Sequence, residues 1–426
     1  MQVIISGEPL RYGLRLVAYQ PNGARLWVLG QHLGLEASMP LNDMSSLRLT
    51  YYGLAQGAAW LESPCEVAVE YSTGGGWTEP ANARFLRIKR SGEDTDRSAA
   101  RAYQMPGYTW MLTKLILYAG TGGLVDGKRQ FAAATPGDIL AAFVGEGQAR
   151  GALPGLAVDF TVTHDSVGQA WNKTLTIGLD VGVNLQAVLI NLSEQGICDW
   201  QMSGRTLQVY NEGTALARQL AAGPAPVDLR LGRDVDQAPD EATLEDAASV
   251  ILIAGEDNLR VEVSNPAATV PWGRWETYQQ QGGVSDHGTA TLLGQHALER
   301  VARERVQLTR QLVFGAARWL PLAGYRVGDH VLAPATPPPC KTCAFARSRC
   351  RAPLMASSTA TWYSTIAFWS GPSGWLALRT ASLTATPART GPAASRPARM
   401  ASASSLTSTW TSTGGRAGRS PPRGRR

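Results

Sequence analysis

The chain has 426 residues, 44% hydrophobic and 17% charged, enough for two to four domains with apolar cores at roughly 100–200 residues per domain. Its formal charge of +6 conceals two compositions: 27 Lys+Arg against 34 Asp+Glu up to Asp329, a net of −7, then 13 Lys+Arg and no acid from His330 to Arg426. The basic average therefore implies no nucleic-acid partner, and the lack of any run of about 18 apolar residues argues against a membrane-spanning helix.

The opening MQVIISGEPLRYG lacks a basic stretch followed by an apolar one, so export by a cleaved signal is not expected. Of the five cysteines only Cys65 and Cys198 precede the basic segment, which excludes a disulfide scaffold and suits folding in a reducing cytoplasm.

The first hundred residues alternate as strands do. Leu47, Leu49 and Tyr51 form one such series, Val67, Val69 and Tyr71 another, and RFLRIKR around Phe85 a third. Turn clusters STGGGW and SGEDTD separate them, and no helical stretch of 12 residues precedes Tyr108. This predicts a small antiparallel barrel or sandwich over residues 1–107.

The period then changes. Thr135-Pro136-Gly137-Asp138 offers an N-cap, a proline at N1 and an early carboxylate, followed by Ile139, Leu140, Phe143 and Val144 on one face. A second helix begins at Asn184, with Leu185, Val188, Leu189 and Leu192 at helical spacing and Gly196 closing it. CDWQMSGRTLQVYN then reads as a hairpin around Ser203-Gly204. Helix followed by hairpin predicts an α+β unit over 108–222.

Strand patterns return in VDLRLGRDV, ASVILIAG and NLRVEVSN. A helix from Asp286 carries Leu293, Ala297 and Val301 on one face; VQLTRQLVFG and PLAGYRVGDHVLAP are strand-like again. A second barrel-type domain with one long helix is expected over 223–336.

From Pro337 to Arg426 the composition is Ser, Thr, Ala, Pro and Arg without hydrophobic period or carboxylate. Four tryptophans (Trp362, Trp369, Trp375, Trp410) are unusual for a disordered tail. Translation in a shifted frame explains both. With permitted wobble choices, the frame one base back reads from Cys340 as alternating strands with an Asn-Gly hairpin, ending in VVNGNVVLNDRF and an amphipathic helix. Residues 337–426 are accordingly expected to be a frameshifted, disordered tail.

The search for chemistry is mostly negative. HExxH, GxSxG, GxxxxGK[ST] and EF-hand patterns are absent. GEGQARG (Gly145–Gly151) follows a helix instead of a strand and reads as a loop, not a dinucleotide site. Cys340, Cys343 and Cys350 lack a fourth zinc ligand. His164-Asp165 sits between strand-like segments, where neighbours face opposite ways, and Asp286 before His287 is more economically an N-cap; His32, His296 and His330 are scattered. Asp234, Asp236, Asp240, Glu241, Glu245 and Asp246 read as a solvated acidic loop. Trp27, Trp60, Trp77, Trp110, Trp200, Trp272 and Trp275 are spread over every segment, which favours core and edge packing over sugar stacking. No catalytic, cofactor-binding or metal residue is assigned.

Five stretches together resemble the minor tail, or baseplate-hub, proteins of long-tailed bacteriophages, siphoviruses and prophages of actinobacteria in particular. They are SMPLNDMSSLRLTYYG, FLRIKRSGEDTDRSAARAYQMPGYTWMLTKLIL, CDWQMSGRTLQVYN, PWGRWE and PLAGYRVGDHVLAP. The likeness covers roughly residues 1–335 and rests on the order of the elements. It implies an α+β, β-rich chain with two barrel-like antiparallel β domains around an inserted α+β unit. It also implies a non-enzymatic role in the virion's tail tip, assembled in the host cytoplasm. The implied partners are two further copies in a homotrimeric ring, the distal tail protein, the tape measure and the fibre or receptor-binding proteins. No nucleic-acid specificity and no cofactor are implied. The readings it competes with are a tail-associated cell-wall or polysaccharide hydrolase and a carbohydrate-binding receptor module.

Overall fold

The computed structural model describes residues 13–89, 100–120, 123–222, 224–268, 270–313, 317–334, 362–370 and 376–385. In chain order the N-terminal part contains β1 (Gly13–Tyr19), β2 (Arg25–Leu29), β3 (His32–Pro40), β4 (Ser46–Tyr52), the short α1 (Ala58–Leu61), β5 (Glu66–Ser72), β6 (Arg84–Leu86) and β7 (Ala100–Pro106). A 3-10 turn at Tyr108–Lys114 leads to β8 (Lys128–Ala134), α2 (Pro136–Ala149), β9 (Ala157–Val158), β10 (Leu175–Asp180), α3 (Leu185–Glu194), β11 (Cys198–Ser203) and β12 (Thr206–Asn211). Then come β13 (Val235–Gln237), β14 (Asp240–Thr243), β15 (Val250–Ala254), β16 (Arg260–Ser264), β17 (Glu276–Gln280), α4 (His287–Val301), β18 (Arg305–Val313), β19 (His330–Val331), β20 (Trp362–Ser370) and β21 (Leu376–Ala385).

Two open sheets face one another in the N-terminal part. One is four-stranded, β2-β1-β5-β6, and antiparallel throughout. The other has nine strands: β13-β18-β20-β21-β3-β4-β7 with β14 and β19 attached at β18 and β21. Alternation does what the sequence pattern requires of it. Leu16, Ala18, Val67 and Val69 from the first sheet pack with Leu35, Ala37, Leu47, Leu49, Tyr103 and Met105 from the second. Neither sheet closes on itself among the described residues, so of the barrel or sandwich expected over residues 1–107 it is the sandwich that forms, and no closed barrel is seen in the second β-rich part. Two pairings are also parallel instead of antiparallel, β9 with β12 and β15 with β17.

The helices start where their caps predict. The Thr135 hydroxyl accepts from the Asp138 N–H at 3.0 Å while the Asp138 carboxylate accepts from the Thr135 N–H at 2.9 Å, a complete capping box. Asn184 and Asp286 cap α3 and α4 through the N–H groups of Ala187 and Thr289. Their apolar faces meet in one core: Ile139, Leu140 and Phe143 of α2, Leu185 and Leu189 of α3, Trp200 of β11, Ile251 and Ile253 of β15, and Leu293 and Leu298 of α4. A smaller cluster holds Val227, Leu229, Val235, Leu312, Tyr325 and Val331. Cys65 and Cys198 are buried free thiols, and burial pushes Cys65 up to about 11.

Three expectations are corrected. VDLRLGRDV forms no strand until Val235, because Asp234 bends the chain by accepting from the Arg230 N–H at 3.0 Å and from Arg233 Nε at 2.6 Å. GEGQARG is no loop: Gly145–Ala149 complete α2, and only Gly151, at φ 83°, turns the chain away. Finally, part of the segment expected to lack order is strand. β20 and β21 form an antiparallel hairpin, β20 pairs with β18, and β21 pairs with both β3 and β19. The short β19 is thereby paired with β21. The physical reason lies in WYSTIAFWS, whose aromatic and β-branched residues carry strand propensity without a clean hydrophobic period. The other residues of 337–426, Cys340, Cys343 and Cys350 included, lie outside the described residues.

One close approach fixes the junction of β10 with the turn before α4. The Gly178 N–H donates to the Gly283 carbonyl at 2.6 Å, and Gly283 sits at φ 87°. A Cβ there would stand 1.8 Å from the Gly178 oxygen. Gly283→Ala combines backbone strain with overpacking and should destabilise the chain by roughly 2–4 kcal/mol; an unchanged midpoint in urea would refute the placement. A chain ending at Thr336 loses the β21 partner of β3 and the β20 partner of β18, which bares one side of each strand. It should melt lower and scatter more light than the full chain, because bare edges associate.

Candidate assembly surfaces

The outward face of the four-stranded sheet is charged and yet covered. Glu66 and Glu70 of β5 point the same way as Arg15 and Tyr19 of β1, their register partners being Tyr19 and Arg15. Arg15 Nε donates to Glu70 at 2.6 Å and the Tyr19 hydroxyl donates to it at 3.0 Å. Arg84 of β6 donates to Glu66 at 3.0 Å and to Glu79 at 3.0 Å. The guanidinium of Arg84 lies 4.1 Å from the Tyr19 ring and that of Arg15 lies 4.3 Å from the Trp77 ring.

The β11–β12 hairpin lies against this face. Its two-residue loop is Gly204-Arg205, one position beyond the expected Ser203-Gly204, with Gly204 at φ 57°. Arg205 reaches back to Glu66 at 2.5 Å and to the Pro21 carbonyl at 2.5 Å. Glu66, whose side chain is only 4% exposed, is thereby held between two guanidiniums. Two asparagines in left-handed backbone clamp the rest. Asn42, in the β3–β4 turn, donates to Asp199 at 2.7 Å and accepts the Trp200 N–H at 2.8 Å. Asn82 donates to the Pro40 carbonyl at 3.0 Å and accepts the Met202 N–H at 2.8 Å.

The surfaces left for partners are edges. Among the described residues β2, β7 and β17 each pair on one side alone. Beside β2, Arg25, Trp27, Gly30, Gln31 and Gln56 line a shallow open groove. Across β3, β4 and β7, Glu36, Arg48 and Gln104 stand in register along a polar row. The β17 edge carries exposed Tyr278 and follows Trp272, the most exposed tryptophan among the described residues.

The residues weighed for chemistry do not converge. Asp165 is buried and serves its own turn, accepting from the N–H groups of Val167, Gln169 and Asn211. His164 turns to Thr163 at 2.8 Å. Asp286 is a helix cap, its carboxyl held below the usual range by the Thr289 N–H; His287 begins the helix behind it. His296 lies 3.5 Å from Glu299 and 3.9 Å from Glu212. His32 and His330 are half-buried, which lowers both. Of the acidic stretch, Asp234 is fully buried; burial raises its carboxyl, but Arg233 and the N–H groups of Arg230 and Arg318 outweigh that and lower it. Asp240 and Glu241 lie in β14, not in a loop. Among the described residues no three His, Cys, Asp or Glu side chains group to hold a metal, and no helix is long and apolar enough to cross a membrane. The tryptophans divide: Trp200 is core, Trp27, Trp60 and Trp77 are partly exposed, and Trp272 stands out in solvent.

No known family model and no curated protein matches the sequence. Several solved structures are similar to it, among them phage tail and baseplate proteins. The 43 kDa tail protein of prophage MuSo2 from Shewanella oneidensis has a TM-score of 0.46 at 14% identity, over 87% of this chain and 97% of that one. Prophage tail protein gp18 from Listeria monocytogenes EGD-e has a TM-score of 0.45 at 11% identity, over 88% and 95%. A chain of the phage P2 baseplate in its activated conformation has a TM-score of 0.33 at 10% identity, over 88% and 98%.

Replacing Glu66 leaves two half-desolvated guanidiniums facing each other. Glu66→Gln should cost about 3–5 kcal/mol, the range for breaking a buried ion pair. It should also speed amide exchange in the β11–β12 hairpin before it does so in β1; equal exchange in both would show that the hairpin is held without Glu66.

Proposed function

We propose that this chain is a structural component of a phage tail tip, a baseplate-hub or minor tail protein of an actinobacterial siphovirus or prophage. It links the tail tube or distal tail ring to the fibre or receptor-binding parts and catalyses no reaction. The observation that carries this is where the segments resembling that family fall. SMPLNDMSS and CDWQMSGRTLQVYN meet at Asn42, Asp199 and Trp200, joining sandwich to hairpin. FLRIKR through MPGYTW supplies β6, β7 and the turn at Tyr108. PLAGYRVGDHVLAP supplies β19, in the same sheet as β3. The shared order of elements is therefore the set of junctions that a rigid linking protein needs.

Free edges at β2, β7 and β17 suit ring closure, since a closed ring pairs each edge with a neighbour. The arrangement proposed is three copies around the tail axis, contacting the distal tail protein, the tape measure and the fibre proteins, within the virion after assembly in the host cytoplasm. Co-expression of the full chain with the neighbouring tail genes, followed by light scattering on the purified complex, should give a mass corresponding to three copies plus a tail partner. A monomer throughout, with no tail protein bound, would overturn the reading.

A further inference from the structure

Trp272 is the most exposed large hydrophobic side chain among the described residues. It is 86% exposed, and it occupies left-handed backbone at φ 60°, a region bulky residues avoid. Both features cost free energy, and such strain persists where the surrounding structure holds it for a use. Trp275 stacks on it at 5.9 Å between ring centroids and 17° between planes, which fixes the indole and leaves its other side to solvent. Between the two rings in sequence, Arg274 is tied to Glu262 of β16 at 3.1 Å and to Glu276 of β17 at 2.5 Å. Glu262 and Tyr278 are both in register with Leu252, so the phenol lies on the same outer sheet face as these carboxylates. Nothing in the β-sandwich or its clamps uses these groups.

We propose that Trp272, with Arg274 and Tyr278, forms a binding platform for a neutral saccharide. An indole face is apolar and about the size of one pyranose ring, so it accepts the ring's C–H face. The Arg274 guanidinium, two residues on in the chain, and its two carboxylate partners are planar, held by their ion pairs and at least half exposed, as groups that hydrogen-bond sugar hydroxyls should be. A protein partner fits less well. Each aromatic ring offers at most about 150–250 Å², so the platform falls well below the roughly 800 Å² per partner of a stable interface. Such a partner would also desolvate the Arg274 ion pairs, at a cost. This inference does not rest on the tail-tip reading; a chain of any role could carry the site.

Calorimetric titration of the full chain with three probes tests it: a β-1,4-linked N-acetylglucosamine hexamer, an α-1,4-linked glucose hexamer and an α-1,6-linked mannan. Saturable binding of at least one is expected, weakened at least tenfold by Trp272→Ala, less by Trp272→Phe, and severalfold by Tyr278→Ala, with circular dichroism unchanged. Should Trp272→Ala fail to fold, Trp272→Phe and Tyr278→Ala carry the test alone. Absence of binding to all three probes would overturn the proposal, as would binding indifferent to these substitutions. If Trp272→Ala instead lowers the oligomeric mass, the indole belongs to a protein contact and the saccharide site is wrong.

Discussion

Glu66 sits between Arg84 and Arg205, and the rest of the structure follows from that placement. Removing a carboxylate from water costs several kcal/mol unless cations compensate it. Arg84 is a near neighbour on β6, but Arg205 comes from 139 residues further along the chain. The sheet's charged face can be covered only by an element that brings its own cation, which the hairpin loop does. Asn42 and Asn82 then set the hairpin's register, each turning its amide toward β11 from a left-handed position that asparagine tolerates. Once the hairpin is seated, α2 and α3 are seated too, because Trp200 and Met202 on its other face belong to their core.

What was legible in the sequence is what is decided locally. Thr135, Asn184 and Asp286 cap their helices because an N-cap needs only a side-chain oxygen and an N–H two or three residues on. The β11–β12 hairpin was legible for the same reason, missing its loop by one residue, since a two-residue turn and two alternating flanks are all it requires. β-richness and the succession of sheet, helices and sheet also followed from period alone.

What was not legible depends on distance in sequence. Nothing near Glu66 announces Arg205, and nothing near Gly178 announces Gly283. VDLRLGRDV has strand period, yet a buried aspartate with three donors overrides it. GEGQARG has loop composition, yet lies on a helix already started by a strong cap. Trp272 was grouped with packing tryptophans because composition carries no information on φ; its left-handed backbone and open face are visible only in three dimensions.

The C-terminal segment shows how far topology can outweigh composition. β3 and β18 belong to one sheet but are not neighbours, and the two strands between them alternate in direction: β18 against β20, β20 against β21, β21 against β3. An antiparallel hairpin is the shortest element that meets those constraints. The sequence as it stands supplies one at Trp362–Ala385. The space between β3 and β18 calls for such a hairpin, and aromatic and β-branched residues suffice to form its strands. A clean hydrophobic-polar alternation covers the sandwich core on one side and faces water on the other, whereas WYSTIAFWS has no such period. Backbone pairing and a hydrophobic-polar period are therefore separate requirements, and β20 meets the first without the second.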